Sequence, residues 1–124
     1  MGYHVIDPDD VEPAEGRPSE THYLSEAAGL EQLGVRLYRV DPGEQLPLSG
    51  MHYHDEQEEA FYAVSGTLHV ETPEAEYTVE EGSLFTADPG SPHRAYNPDD
   101  APGPITVLAL GAPTGVDDAH AYEG

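Results

Sequence analysis

The feature that most constrains the fold of this chain is a succession of short β-forming segments, each ended by glycine, proline or acidic residues. Segments 67–71 and 76–80 alternate apolar and polar side chains, as strands with one buried face do. Many short strands separated by turn residues are typical of an all-β sandwich or barrel. The predicted strands are 33–40, 46–54, 59–65, 67–71, 76–80, 83–87, 93–97 and 105–110.

Two segments flank this β region. Residues 1–32 form a proline-rich, acidic N-terminal arm, in which we expect an edge strand near residues 3–6. The sequence 25–33 predicts one or two helical turns, capped by Ser25 and stopped by Gly34. Residues 112–124 resemble a poorly ordered or partner-docked acidic tail. The 124 residues therefore predict one domain, with its β-barrel at residues 33–111.

Composition excludes several classes of function. The chain has no cysteine and no lysine, which removes disulfides, thiolate metal sites and Schiff-base chemistry. It carries 25 acidic residues against four arginines, for a net charge of −21. Nucleic acid is an implausible partner, because binding to it needs cations.

The net charge also indicates the ionic strength of the protein's environment. Self-repulsion at this charge density is relieved by salt. We therefore expect a halophilic protein from a salt-rich cytoplasm; the alternative is an acidic mesophilic protein with a solvated surface. No apolar stretch approaches the length of a membrane span, and the acidic N-terminus does not resemble a secretory signal, so we expect no membrane association.

Three side chains form a candidate metal site. His52 and His54 share one face of a predicted strand, because side chains alternate with period two. Glu59 follows, at the start of the next predicted strand. Two imidazoles and a carboxylate from adjacent strands can form part of the coordination shell of a divalent transition metal.

The spacing continues into a second motif. Gly66 lies seven residues after Glu59, and residues 82–97 read GSLFTADPGSPHRAYN, with His93 four residues before Asn97. The two segments resemble the paired motifs of the cupin superfamily, His-x-His-x4-Glu-x6-Gly and Gly-x5-Pro-x-Gly-x2-His-x3-Asn. The chain is similar to small single-domain cupins over residues 33–111.

Two positions depart from the family pattern. Leu46 replaces the glycine that opens the first motif, and Asp88 replaces the proline of the second, with Pro89 one place later. The resemblance implies a double-stranded β-helix, or jelly-roll barrel, whose metal is held by His52, His54, Glu59 and His93. The donor types suit Zn, Fe, Mn, Ni, Co or Cu and do not distinguish among them.

Strand parity gives candidates for a substrate pocket. Phe61 shares the face of Glu59, so we expect it to line the pocket, and His69 is a second candidate. Tyr53 lies opposite the ligand face, where we expect packing or an interface. Beyond Glu59 and His69 the sequence names no general base, and the catalytic residues stay unassigned.

These observations leave two functions open. The first is a metal-dependent enzyme, of oxygenase or isomerase type, acting on a small organic molecule that chelates the metal through oxygen. The second is a binding or sensing module that holds a small ligand without turnover. Small cupins are commonly dimers, so the resemblance implies a homodimer, with Tyr53 or residues 3–6 as candidate edges.

Overall fold

The computed structural model describes residues 2–115 and 117–123, and nearly all of its regular secondary structure is antiparallel strand. The strands are β1 Glu20–Tyr23, β2 Gly34–Val40, β3 Gln45–Leu46, β4 His52–His54, β5 Glu58–Ser65, β6 Leu68–Glu71, β7 Glu76–Val79, β8 Leu84–Ala87, β9 Arg94–Tyr96, β10 Ile105–Ala112 and β11 Ala119–Ala121. Helical structure is limited to the 3-10 helix Pro8–Asp10 and α1 Leu24–Ala28. Within the described ranges, no helix has the length and apolar character needed to cross a membrane. The all-β prediction is confirmed.

The strands form three antiparallel sheets. One sheet has five strands in the order β1-β2-β10-β5-β8, and a second has four in the order β3-β9-β6-β7. The third sheet pairs β11 with β4. It joins the second through a bridge between His52 and His93, whose backbone amides and carbonyls bond in both directions at 3.0 and 2.9 Å.

The core lies between the two larger sheets. Alternate residues of β6 and β10 point into it, as the period-two pattern predicts, and Leu68, Val70 and Val107 are fully buried. The cluster continues through the other strands of both sheets, with Tyr38, Val40, Leu46, Phe61, Ala63, Val79, Ala95, Ile105 and Ala109. Burial of these side chains is the main force that holds the sheets together.

Two motif residues have structural roles. Gly66 has φ +81, and an added Cβ there would collide with the Ile105 side chain, so the turn between β5 and β6 requires glycine. Asn97 is buried, and its amide donates hydrogen bonds to the carbonyls of Val40 at 3.1 Å and Gly103 at 3.0 Å. Asn97 thereby fixes the end of β9 against the neighbouring chain segments.

Three expectations differ from the structure in detail. The predicted strand 46–54 is interrupted, because residues 47–51 bend away between β3 and β4, with Pro47 unable to donate a ladder bond and Gly50 at φ +83. The helix stops earlier than predicted, because Gly29 adopts the left-handed cap conformation at φ +73. Residues 3–6 form no strand, and the arm contributes β1 instead.

The C-terminal segment also differs from the expectation of a poorly ordered or partner-docked tail. Residues 117–123 are docked on their own chain, since β11 pairs with β4 in the register Ala119 to His54 and Ala121 to His52. The His120 ring lies 5.3 Å from the Tyr53 ring, and its Nε2 is 2.6 Å from the Asp55 carboxylate. The face of Tyr53 that we considered as a dimer edge is therefore covered by this segment.

Candidate metal centre

The strand termini bring a compact group of donor atoms together inside the protein. One donor atom each from His52, Glu59 and His93 lies within 4.8 Å of the others. His52 comes from β4, Glu59 from β5, and His93 directly precedes β9. Only 3% of His52 and 2% of His93 is exposed.

His54 completes the predicted set from the same face of β4. Its Nε2 lies 3.2 Å from Oε1 of Glu59, and Nε2 of His93 lies 3.1 Å from the same oxygen. The His52 ring centroid is 5.3 Å from that of His54 and 4.8 Å from that of His93. The four side chains predicted as ligands thus surround one point, although His54 lies outside the tightest group of three.

The donor atoms of this group have no hydrogen-bond partners among the described residues. Unpartnered and buried are both ring nitrogens of His52, Nε2 of His54, Nε2 of His93 and Oε1 of Glu59. The contacts to Glu59 are short but lack hydrogen-bond geometry. Such a concentration of unpartnered buried nitrogens and a carboxylate oxygen is costly, and a cation bound by one ring nitrogen of each histidine and by the carboxylate would relieve most of that cost.

Neighbouring groups fix the orientation of two of the rings. Nδ1 of His93 donates to the carbonyl of Ser91 at 2.8 Å, and Nδ1 of His54 donates to Oδ1 of Asp118 at 2.9 Å. In each neutral ring, the lone pair of Nε2 is then directed toward Glu59. This arrangement is the outer-shell support that metal-binding histidines commonly have.

Asp118 connects the C-terminal segment to this centre. Its second oxygen accepts the backbone amides of Glu56 at 2.9 Å and Gln57 at 3.0 Å, between β4 and β5. Burial alone would raise the pKa of Asp118, but the bonds from His54 and the two amides outweigh it and lower that pKa. Asp118 is therefore a buried carboxylate anchor.

Without a metal, protonation equilibria are strongly shifted here. The close approach of Glu59, opposed by burial and aided by Asp118, raises the pKa of His54 to about 9. Burial would raise the pKa of Glu59, but His54 and His93 outweigh it and lower that pKa to about 2. Burial lowers the pKa of His52. In the metal-free protein, protonated His54 therefore supplies the positive charge that balances Glu59, and a bound metal would replace this proton.

A cavity of about 210 Å³ opens beside the donor group. Phe61 lines it, as its parity predicted, and its ring centroid is 5.8 Å from that of His93. His69 is not brought to this cavity; it lies on the outer side of β6, where its ring packs 5.8 Å from Tyr96. Arg36 and Tyr38 of β2 also line the cavity.

Comparisons with known proteins agree on the fold. The family model for the Cupin domain matches residues 36–109. A sugar phosphate isomerase from a cupin superfamily, from Silicibacter pomeroyi, is 26% identical, with a TM-score of 0.79 over 98% of this chain and 83% of that one. A search of the curated proteins finds no match to this sequence.

Two further solved structures share the architecture at lower identity. The polyketide cyclase RemF from Streptomyces resistomycificus is 17% identical, with a TM-score of 0.79 over 98% of this chain and 87% of its own. A predicted oxalate decarboxylase from Thermotoga maritima is 19% identical, with a TM-score of 0.71 over 88% of this chain and 98% of its own. At these identities the similarities establish the fold alone.

Proposed function

Since this chain belongs to the cupin family, we propose that it is a metal-dependent enzyme, of oxygenase or isomerase type, acting on a small organic molecule that chelates the metal through oxygen atoms. The observation that carries this proposal is the buried group formed by Oε1 of Glu59 and ring nitrogens of His52, His54 and His93, none of which has a hydrogen-bond partner in the described part of the chain. Three imidazoles and one carboxylate fit a divalent transition metal. The 3.1–3.2 Å approaches to Glu59 are typical of two ligands at about 2.1 Å from one ion.

Each protein group has a distinct part in the proposed site. His52, His54, Glu59 and His93 would hold one divalent ion, and Asp118 would keep the His54 ring in its ligating orientation. A metal so held supplies a Lewis acid that polarises chelated oxygens, or a binding position for dioxygen. Phe61 would exclude water from one wall of the cavity.

Metal content is the first test. Purified protein is dialysed against zinc, manganese, iron, nickel, cobalt or copper ions and then against metal-free buffer, and elemental analysis should find about one ion per chain. His54→Ala should reduce the retained metal, while His4→Ala, which changes an exposed histidine of the N-terminal arm, should not. Protein that retains no metal, or variants that retain equal amounts, would refute the proposal.

Turnover separates the enzyme from the second candidate, a binding or sensing module. Iron-loaded protein is screened for oxygen uptake with catechols, diketones and hydroxy acids, and zinc-loaded protein for isomerisation of hydroxyketones. The enzyme proposal expects turnover that disappears when the metal is removed. Metal-dependent binding without turnover would favour the binding module, whose support is the same cavity beside the donor group.

We also propose that the protein is adapted to high salt. Its net charge of −21 leaves an excess of carboxylates on the surface, where salt screens their repulsion. The midpoint of thermal unfolding should rise between low and molar KCl. A midpoint that stays constant would instead support the acidic mesophilic alternative.

A homodimer remains part of the proposal, with a different surface from those first considered. On the outer face of the five-stranded sheet, Tyr62 and Leu84 are directly paired and are 38% and 56% exposed. A second copy would cover such an apolar face. Light scattering should give twice the chain mass, and Leu84→Glu should lower it to one chain, whereas a monomeric wild type would contradict the dimer.

A further inference from the structure

One cationic side chain faces the same cavity as the proposed metal ligands. Arg36 lies on β2 with the parity of Tyr38 and Val40, which point into the core. Arg36 and Tyr38 line the cavity of about 210 Å³ together with His54, Glu59 and others. The guanidinium therefore faces the same cavity as His54 and Glu59.

One row of residues across the sheet places a small side chain between Arg36 and Phe61. Arg36 on β2 and Phe61 on β5 are both paired with Ala109 of the intervening strand β10. In the next row, the same strands β2 and β10 carry Gly34 and Gly111. The side chains of Thr114 and Gln57 lie against these two glycines and line the cavity with Arg36, so the small Ala109 side chain is what separates Arg36 from Phe61.

Arg36 lacks an acidic partner, although acidic residues are abundant. Arg39 pairs with Asp9 and Glu20, and Arg94 pairs with Glu71. No carboxylate oxygen lies within 4 Å of Arg36 in residues 2–115 and 117–123. Its guanidinium stacks 4.6 Å from the centroid of the Tyr23 ring, which holds it in place without neutralising it. Glu26 acts on the guanidinium only from beyond ion-pair distance, so this partly buried cation has no direct counter-ion, and a bound anion would lower the cost of burying it.

Tyr38 adds a second donor next to the guanidinium. Tyr38 is 1% exposed, and burial raises the pKa of its hydroxyl to about 12, so the group is protonated at neutral pH. Tyr38 lies two residues from Arg36 on the same face of β2, and both side chains line the cavity. Together they offer hydrogen-bond donors and one positive charge to a group in the cavity.

We propose that Arg36 and Tyr38 bind the carboxylate of a small organic acid whose chelating oxygens reach the metal centre. This inference rests on the proposed function, because it assigns the substrate class of the same cavity. One guanidinium neutralises one negative charge and matches the two oxygens of a carboxylate.

Two matched ligands test the assignment. Kojic acid and comenic acid share the hydroxypyranone edge that chelates a metal, and differ on the opposite side of the ring, where comenic acid has a carboxylate and kojic acid a hydroxymethyl group. Their dissociation constants are measured by calorimetry on zinc-loaded protein, with zinc content checked after each titration. The quantity compared is the preference, the ratio of the kojic acid constant to the comenic acid constant.

The variants separate the local interaction from overall charge. Arg36→Gln should reduce the preference at least about tenfold, as loss of a charge-assisted hydrogen bond does. Arg39→Gln removes the same charge from an exposed position of the same strand and should leave the preference unchanged. Tyr38→Phe should reduce the preference about fivefold, and it carries the test if Arg36→Gln does not fold.

The possible failures are distinguishable. If zinc and kojic acid bind but Arg36→Gln and Tyr38→Phe leave the preference unchanged, this inference is wrong and the metal site stands. If Arg39→Gln lowers the preference as much as Arg36→Gln, the effect is one of net charge and the inference is again wrong. If zinc does not bind at all, the proposed function fails and the assignment falls with it.

Discussion

The Asp118→Asn variant tests how far the C-terminal segment supports the metal centre. The substitution keeps the size of the side chain and removes its charge. In the wild type, one oxygen accepts from His54 and the other from the amides of Glu56 and Gln57. An asparagine has one acceptor oxygen, so it can accept a hydrogen bond either from the imidazole or from the two backbone amides. In either orientation its NH2 group points at the other donors, to which it cannot bond.

The size of the effect follows from these contacts. If the oxygen of the new side chain stays with the amides, His54 loses the acceptor that fixes its ring, and zinc affinity should fall about 10- to 100-fold. If the oxygen turns toward His54, two backbone amides lose their acceptor at about 1–3 kcal/mol each. Either orientation therefore costs zinc affinity, fold stability or both.

The assay measures both quantities. Zinc affinity is determined by competition with a chromophoric chelator, and the free energy of unfolding of the metal-free protein by urea denaturation. Asp117→Asn, which changes the exposed neighbouring carboxylate, is the control and should leave both near the wild-type values. An Asp118→Asn variant with the affinity and stability of this control would refute the role assigned to Asp118.

Three further predictions follow from the same geometry. Zinc binding between pH 7 and 8 should release about one proton per ion, because the raised pKa of His54 keeps this residue protonated in the metal-free protein. Calorimetry in buffers of different ionisation enthalpy measures the number of protons released, and a release of zero would contradict the prediction. The pKa of His54 is raised from 6.5 to about 9, and that of Glu59 is lowered from 4.5 to about 2. The contact between the two side chains therefore stabilises the metal-free protein fully between about pH 4.5 and 6.5. This stabilisation is lost as the pH rises toward 9 or falls toward 2. The melting midpoint should thus fall toward pH 9, and His54→Gln should weaken this decline; an equal decline in the variant would be contrary evidence. Gly66→Ala should lower the free energy of unfolding by about 2 kcal/mol or more, and Gly82→Ala by about 1 kcal/mol. Both glycines have positive φ, but only at Gly66 would the added Cβ collide with the Ile105 side chain. Equal losses in the two variants would show that the structure relieves this collision.

The fold was largely predictable because its signals are local. Alternation in β6, with Leu68 and Val70 inward, reports one buried face, and Gly66 marks a turn that only glycine fits. The interruption between β3 and β4 was not predicted. Pro47 and Gly50 signal it in retrospect, but the apolar pattern around them suggested one continuous strand.

Only those site residues that belong to a sequence motif were predictable. His52, His54 and Glu59 are close in the chain, and the resemblance supplied His93. Asp118 lies 64 residues from His54, in a segment whose composition predicted a poorly ordered or partner-docked tail, and no local pattern marks it. The role inferred for Arg36 depends on which side of β2 faces the cavity and on the absence of an acidic partner there, which only the assembled sheets decide.

Anomalous diffraction at the zinc absorption edge, from crystals of zinc-loaded protein, tests the central claim most directly. The account predicts one strong peak per chain, enclosed by His52, His54, Glu59 and His93. No peak at this point, or zinc bound only at surface carboxylates, would contradict the metal centre.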